Sequence, residues 1–238
     1  MAFYKHYSFD LWLTLIRSNP QFKKLRSKIF HEQYNFVGKS LEEVEYIFRQ
    51  TDLTCNAVNE KTGKNIDADE MYLMVISRIN DNETSLQDVG AEALYLQMEN
   101  LLFENLPLVY CNRTADVLSK IKARQNTTIS ILSNTGFIRG ATLRKVLNEL
   151  GIAGYFDFEL YSDETGFSKP NKAFYQLMLN KVAELKTIER NEIIHIGDNI
   201  VTDYYGAKAV GINALLVNSN DTRITNLLNH APQDIFTA

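Results

Sequence analysis

Acidic, basic, hydroxyl and amide side chains stand at or just beyond the ends of short apolar segments in four separate parts of the chain. They are Asp10 in FDLWLTL, Ser133 and Asn134 in ILSNT, Lys169 in FSKPN, and Asp198 and Asp203 in IGDNIVTD. Carboxylates, a hydroxyl and an ammonium form a set that suits a phosphoryl group.

A carboxylate such as that of Asp10 can attack phosphorus and form an aspartyl-phosphate, which divides a difficult hydrolysis into two easier steps. Because both reactants are anions, the attack requires positive charge nearby. Mg²⁺ supplies such charge and takes oxygen ligands from carboxylates and from the substrate phosphate. The hydroxyl of Ser133 and the ammonium of Lys169 can hold the remaining phosphoryl oxygens, and positioning of this kind is most of the catalysis.

The second half of the chain alternates strand patterns with helix patterns. Apolar, β-branched segments predict strands at residues 127–133, 156–162, 192–198 and 213–219. Apolar residues at helical spacing predict helices that contain residues 143–150, 174–182 and 202–210, the first and third ended by Gly151 and Gly211. This alternation predicts an α/β fold with a parallel sheet, whose ligands gather at the carboxyl ends of the strands.

The first half of the chain differs, because after a strand at residues 4–9 the stretch 20–106 is mostly helical in pattern. Capping boxes mark two helix starts, Ser40 with Glu43 and Asp67 with Glu70. NEKTGKN, residues 59–65, is interpreted as a plain polar loop. We therefore predict a Rossmann-like α/β core formed by residues 1–17 and 108–238, with an inserted all-α cap of residues 18–107.

Composition limits the classes of function. The 238 residues are 45% hydrophobic, enough for a sizeable core, and the net charge of −4 does not suggest nucleic-acid binding. The sequence shows neither a signal peptide nor an apolar stretch long enough to span a membrane. The two cysteines, Cys55 and Cys111, are too few for a disulfide framework. We expect a cytoplasmic protein with a small-molecule partner and no membrane partner, and the oligomeric state stays open.

In their order along the chain, the four segments resemble the motifs of the haloacid dehalogenase (HAD) superfamily. FDLWLTL matches motif one, ILSNT motif two, FSKPN motif three and IGDNIVTD motif four, so the resemblance covers the whole chain. The helical insertion between the first two motifs resembles a C1 cap, a mobile lid that closes over the site. The resemblance implies an Mg²⁺-dependent hydrolase, a phosphatase acting on a small phosphorylated metabolite.

Carried over position by position, the resemblance implies that Asp10 is the nucleophile. Ser133 and Lys169 would bind phosphoryl oxygens, with Asn134 as a binding or supporting residue beside them. Lys169 would also balance charge between the nucleophile and the phosphoryl group.

The implied metal ligands are the carboxylates of Asp10 and Asp198 and the backbone carbonyl of Trp12. Asp203 would assist at the outer shell of the metal or orient Lys169, and Thr14 would support the loop.

Trp12 departs from the family pattern, because phosphatases of the family carry at this position a second aspartate that protonates the leaving group and later activates water. An indole N–H only donates and does not titrate usefully. Loss of general acid–base help costs about 10²–10⁴ in rate.

Two alternatives therefore stay open. One is a catalytically weak or inactive relative that binds Mg²⁺ or a phosphorylated ligand. The other is a metal-independent 2-haloacid dehalogenase, a branch with tyrosine at the position of Trp12. The acidic form of the fourth motif, Gly-Asp-Asn, favours the metal-dependent phosphatase.

The four histidines show no spacing typical of metal ligands; they are His6, His31, His195 and His230. His195, inside an apolar strand, is interpreted as a core residue whose hydrogen bonds are satisfied.

Overall fold

The computed structural model describes residues 3–228 of the 238. The two ends of the predicted core, residues 1–2 and 229–238, lie outside the described residues, and so does His230.

A parallel sheet forms the centre of the core. The strands of the chain are β1 His6–Phe9, β2 Ile16–Arg17, β3 Leu108–Val109, β4 Thr128–Ser133, β5 Phe158–Tyr161, β6 Ile193–Gly197 and β7 Asn213–Leu216. Five of them lie side by side in the order β5–β4–β1–β6–β7, and each neighbouring pair is parallel. The predicted α/β fold with a parallel sheet is confirmed, although each strand is shorter than its sequence pattern.

The register of the sheet explains why the polar residues meet. Phe9 in the central strand is level with Ile131 in β4 and with Ile196 in β6. Asp10 therefore follows β1 at the height where β4 and β6 also end. Because parallel strands present their carboxyl ends at one edge, Ser133 and Asp198 arrive at the same edge as Asp10.

The helices divide into two groups. They are α1 Pro20–Gln33, α2 Leu41–Thr62, α3 Ala68–Ile79, α4 Ala91–Glu104, α5 Thr114–Lys122, α6 Gly140–Glu149, α7 Ser162–Thr165, α8 Lys172–Leu185 and α9 Gly206–Lys208. Helices α1–α4 lie between β2 and β3, and α5–α9 lie between strands of the core. Both predicted capping boxes are present, at the starts of α2 and α3.

Two segments differ from the sequence-based prediction. The helix expected over residues 202–210 is a π-helical turn, Ile200–Tyr205, followed by the short α9. The Asn199 side chain accepts from two backbone N–H groups of this turn, and the Asn199 N–H donates to Asp203. The second segment is predicted from sequence to be a loop over residues 59–65, but α2 continues to Thr62 and only residues 63–65 lie outside the helix. Gly63 caps the helix with a positive φ of 67°, which suits glycine.

A short antiparallel ribbon connects the helical insertion to the core. Ile16 in β2 is opposite Val109 in β3, and Arg17 is opposite Leu108. The chain therefore leaves the core and returns to it at neighbouring points. The boundary between core and cap at residues 17 and 108 stays a prediction.

No helix within residues 3–228 has both the length and the apolar character that crossing a bilayer requires.

A buried histidine in the central strand makes the stability of the fold depend on pH. Nδ1 of His6 lies 2.8 Å from Oγ1 of Thr128, and Nε2 lies 3.0 Å from Oγ of Ser130. Burial lowers the pKa of His6 from 6.5 to about 3, with a smaller contribution from the positive charge of Lys186. The folded protein therefore keeps this imidazole neutral under conditions in which the unfolded chain protonates it.

We expect the free energy of unfolding to fall as the pH drops below 6.5, because the unfolded chain then binds a proton that the folded chain does not. The contribution of His6 is about 2 kcal/mol between pH 7 and pH 5. The His6→Gln variant should lose this part of the pH dependence, as measured by urea denaturation at the two pH values. An equal decrease in the wild type and the variant would contradict the assignment.

Candidate active site

The ammonium of Lys169 lies between two carboxylates at the carboxyl edge of the sheet. Its Nζ donates to Oδ1 of Asp10 at 2.7 Å and to Oδ1 of Asp203 at 2.6 Å. All three residues are buried, and Lys169 is 1% exposed. Although burial alone would lower the pKa of Lys169, the two carboxylates raise it above its usual value, so the lysine is charged.

Asp10 is fixed by two hydroxyl groups in addition to Lys169. Oγ of Ser133 donates to Oδ1 of Asp10 at 3.1 Å, and Oγ1 of Thr14 donates to Oδ2 at 3.1 Å. Burial raises the pKa of Asp10, Lys169 opposes this increase, and the neighbouring carboxylate of Asp203 adds to it. The carboxylate is therefore held in one orientation by donors that come from three segments of the chain.

Asp203, like Asp10, has hydrogen-bond partners on both carboxylate oxygens besides Lys169. Its Oδ1 lies 3.2 Å from Nε2 of His195, and its Oδ2 accepts from the Asn199 N–H at 2.9 Å. Burial opposes ionisation, but Lys169 and His195 outweigh it and lower the pKa of Asp203. An ionised carboxylate only accepts hydrogen bonds, so the proton of the imidazole lies on Nε2 of His195. Nδ1 then accepts from the hydroxyl of Ser8, 2.9 Å away.

Gly197 leaves the room that Asp203 occupies. A Cβ at this position would lie 2.2 Å from Cγ of Asp203, closer than van der Waals contact allows. The glycine before Asp198 is therefore required by packing at the end of β6.

The side chain of Asn134 fixes the backbone of Lys169. Its Oδ1 accepts from the Lys169 N–H at 2.7 Å, and its Nδ2 donates to the Lys169 carbonyl at 3.1 Å. This pair of bonds is the supporting role predicted for Asn134. Binding of a phosphoryl oxygen by Asn134 stays a prediction.

The donor set at the sheet edge fits a divalent cation. Carboxylate oxygens of Asp10, Asp198 and Asp203 lie within 4.8 Å of one another. Both Asp203 oxygens accept hydrogen bonds from protein groups, among them Nζ of Lys169. Burial, Asp10 and Asp203, in that order, raise the pKa of Asp198 to about 7. A cation bound by Asp10 and Asp198 would relieve this repulsion, which agrees with the predicted ligand pair.

The side chain of Trp12 contributes no titratable group to the cluster. It is half-buried and packs against the main hydrophobic core. Next to it, Leu13 has a positive φ of 60°, and Nδ2 of Asn218 donates to the carbonyl oxygens of Leu13 and Thr14. The loop after Asp10 is thus held by the core, and the role of the Trp12 carbonyl as a metal ligand stays a prediction.

The structure brings together the predicted site residues that carry polar side chains. They are Asp10, Thr14, Ser133, Asn134, Lys169, Asp198 and Asp203. Sequence reasoning missed the contribution of His195 and Ser8. His195 is buried with satisfied hydrogen bonds, as interpreted, but one of its partners is Asp203. A polar residue three positions before Asp198 in an apolar strand was the available signal.

Comparison with known proteins agrees with these motifs. Haloacid dehalogenase-like hydrolase domain-containing protein 3 of Homo sapiens is 34% identical over 102 residues, which are 43% of this chain and 37% of the human protein. Ribulose-1,5-bisphosphate 5-phosphatase of Halopiger xanaduensis is 26% identical over 164 residues, 69% of this chain and 64% of that protein. The match thus spans less than half the length of the human relative and just under two thirds of the archaeal one.

Solved structures share the fold at low sequence identity. The HAD-hydrolase YfnB of Bacillus subtilis, bound to magnesium, has a TM-score of 0.70 at 17% identity, over 93% of this chain and 92% of that one. A 2-haloacid dehalogenase of Pseudomonas syringae has a TM-score of 0.64 at 16% identity, over 95% and 97%. These likenesses show the fold alone. The family pattern of haloacid dehalogenase-like hydrolases matches residues 4–211, and the chain belongs to this family of hydrolases.

Proposed function

We propose that the protein is a Mg²⁺-dependent phosphatase that hydrolyses a small phosphorylated compound through an aspartyl-phosphate on Asp10. The observation that carries the proposal is the charge arrangement at the sheet edge. One ammonium bridges Asp10 and Asp203, and a carboxylate oxygen of Asp198 lies within 4.8 Å of oxygens of both.

Charge balance is the main demand of this reaction, because a phosphate ester is an anion and so is the attacking carboxylate. Lys169 supplies one positive charge next to Oδ1 of Asp10. When bound by Asp10 and Asp198, Mg²⁺ supplies the remaining positive charge and polarises the phosphoryl group. The hydroxyl of Ser133, which donates a hydrogen bond to Asp10, can donate to a phosphoryl oxygen instead once a substrate is bound.

The reaction proceeds in two displacements on phosphorus. In the first, a carboxylate oxygen of Asp10 bonds to phosphorus while the ester bond breaks, and the leaving alkoxide or phenoxide takes a proton from solvent. In the second, water attacks the phosphorus, releases inorganic phosphate and a proton, and restores the Asp10 carboxylate. Lys169 and Ser133 remain beside the reacting oxygens throughout.

Asp198 favours phosphate chemistry over dehalogenation. A halide leaves without a proton and without a metal, so a dehalogenase has no need for a third carboxylate whose pKa is raised to about 7 by its neighbours. The archaeal phosphatase, similar over 69% of this chain, supports the same choice. Trp12 is the feature that favours the dehalogenase, since it removes the acid that a phosphatase uses for its leaving group.

The cellular location that we propose rests on the two cysteines. We place the enzyme in the cytoplasm, because Cys55 and Cys111 are free thiols and a reducing compartment keeps them so. Helices α1–α4 would serve as a C1 cap that encloses a small phosphorylated metabolite, without a nucleic-acid or membrane partner.

We expect hydrolysis of 4-nitrophenyl phosphate that requires Mg²⁺ and disappears in the Asp10→Asn variant. The asparagine amide is a poor nucleophile and a poor cation ligand, so the rate should fall at least about 10³-fold. Initial rates with millimolar Mg²⁺, and with a chelator, measure both effects. An unchanged rate in the variant would exclude Asp10 as nucleophile. Halide release from a 2-haloacid in the presence of chelator would instead identify a dehalogenase.

Trp12→Asp should raise the rate on alkyl phosphates, because an added carboxyl group can protonate a leaving alkoxide. General acid catalysis contributes about 10²–10⁴, and we expect at least a 10-fold gain on an alkyl phosphate with a smaller change on the aryl ester. Trp12→Ala is the matched control, since it removes the indole without adding an acid. Equal gains in both variants would show that the indole acts by obstruction.

A further inference from the structure

The turn between α2 and α3, residues 63–65, lies against the core. We call it the α2–α3 turn. Its Gly63 carbonyl accepts from the Ser168 N–H at 3.0 Å and from Nδ2 of Asn171 at 3.0 Å. Lys64 forms a β-bridge with Phe167. A segment of the helical insertion is therefore hydrogen-bonded on both sides of Lys169.

Only glycine fits at the first position of the α2–α3 turn. Gly63 has a φ of +67°, in the left-handed region, and a Cβ there would lie 2.8 Å from Nδ2 of Asn171. The close approach of the two backbones is thus built into the turn.

Asn65 connects the same turn to the loop after β4. Its Oδ1 accepts from Oγ of Ser162 at 2.7 Å and lies 3.4 Å from Oγ1 of Thr135. Oγ of Ser162 in turn accepts from the Thr135 N–H at 2.8 Å. Nδ2 of Asn65 donates to Oδ1 of Asp67, which directs the amide oxygen toward the core. Thr135 and Ser162 are both buried.

The two core loops that contact the turn carry catalytic groups. Thr135 follows Ser133 and Asn134, and Ser168 precedes Lys169. Asn134 also clamps the backbone of Lys169, so the loops are joined to each other as well as to the turn. A displacement of the α2–α3 turn would therefore move Ser133 and Lys169 together.

We propose that Asn65 is a positioning residue, through which the α2–α3 turn sets the places of Ser133 and Lys169 relative to Asp10. The ammonium and the hydroxyl reach Asp10 at 2.7 and 3.1 Å from the two loops that the turn contacts. The catalytic consequence rests on the proposed phosphatase function, whereas the ordering of the loops does not.

The test compares Asn65→Ala with Asn56→Ala, a matched change at an exposed asparagine on α2. Backbone hydrogen exchange is followed by mass spectrometry in residues 133–139, 166–171 and, as a reference, 193–197. In Asn65→Ala the first two segments should exchange about 10-fold faster, as expected for the loss of one or two hydrogen bonds, with the β6 segment unchanged. Asn56→Ala should match the wild type throughout.

Steady-state kinetics with 4-nitrophenyl phosphate and Mg²⁺ supply the second measurement. Asn65→Ala should lower kcat about 10-fold and change KM less than about 3-fold, since misplacement of reacting groups affects the chemical step. Unchanged exchange in the two loops, or faster exchange in β6 as well, would overturn the inference. Faster loop exchange in Asn65→Ala, together with no phosphatase activity in the wild type, would refute the proposed function and leave the ordering of the loops by Asn65 intact.

Discussion

The contact on which the site depends is the ammonium of Lys169 between Asp10 and Asp203. Three carboxylates with oxygens less than 5 Å apart repel one another strongly in a buried setting, and one lysine that is 1% exposed compensates part of that charge. A buried ion pair of this kind is stable only when its remaining hydrogen bonds are made. Ser133, Thr14, His195 and the Asn199 N–H make them.

The register of the strands in the core sheet brings the residues of this hydrogen-bond network together. Because β1, β4 and β6 end at one height, side chains more than 120 residues apart in sequence reach the same few ångströms. The π-helical turn after Asn199 and the absence of a side chain at Gly197 then let Asp203 face inward. The turn and the glycine are both properties of the backbone, and both position the carboxylate of Asp203.

Charge compensation among the three carboxylates is incomplete, and the proposed phosphatase mechanism depends on this. Asp198, with a pKa raised to about 7, marks where further positive charge would be most stabilising. In the proposed mechanism Trp12 affects a different step, because it leaves the cluster intact and supplies no proton for the leaving group. In the proposed mechanism the leaving group is therefore the side on which the reaction lacks help from the protein.

Sequence alone determined the α/β class, the alternation of strands and helices along the second half of the chain and the polar residues that meet at the sheet edge, because strand ends, capping boxes and motif spacing are local patterns. It misjudged residues 59–65 and 202–210 and did not connect His195 with Asp203. Asn65 takes its partner Ser162 from 97 residues away, and His195 contacts Asp203 because the turn after Asn199 folds back against β6. Only the tertiary structure decided these contacts, since a polar side chain takes its partner from whatever the fold packs beside it.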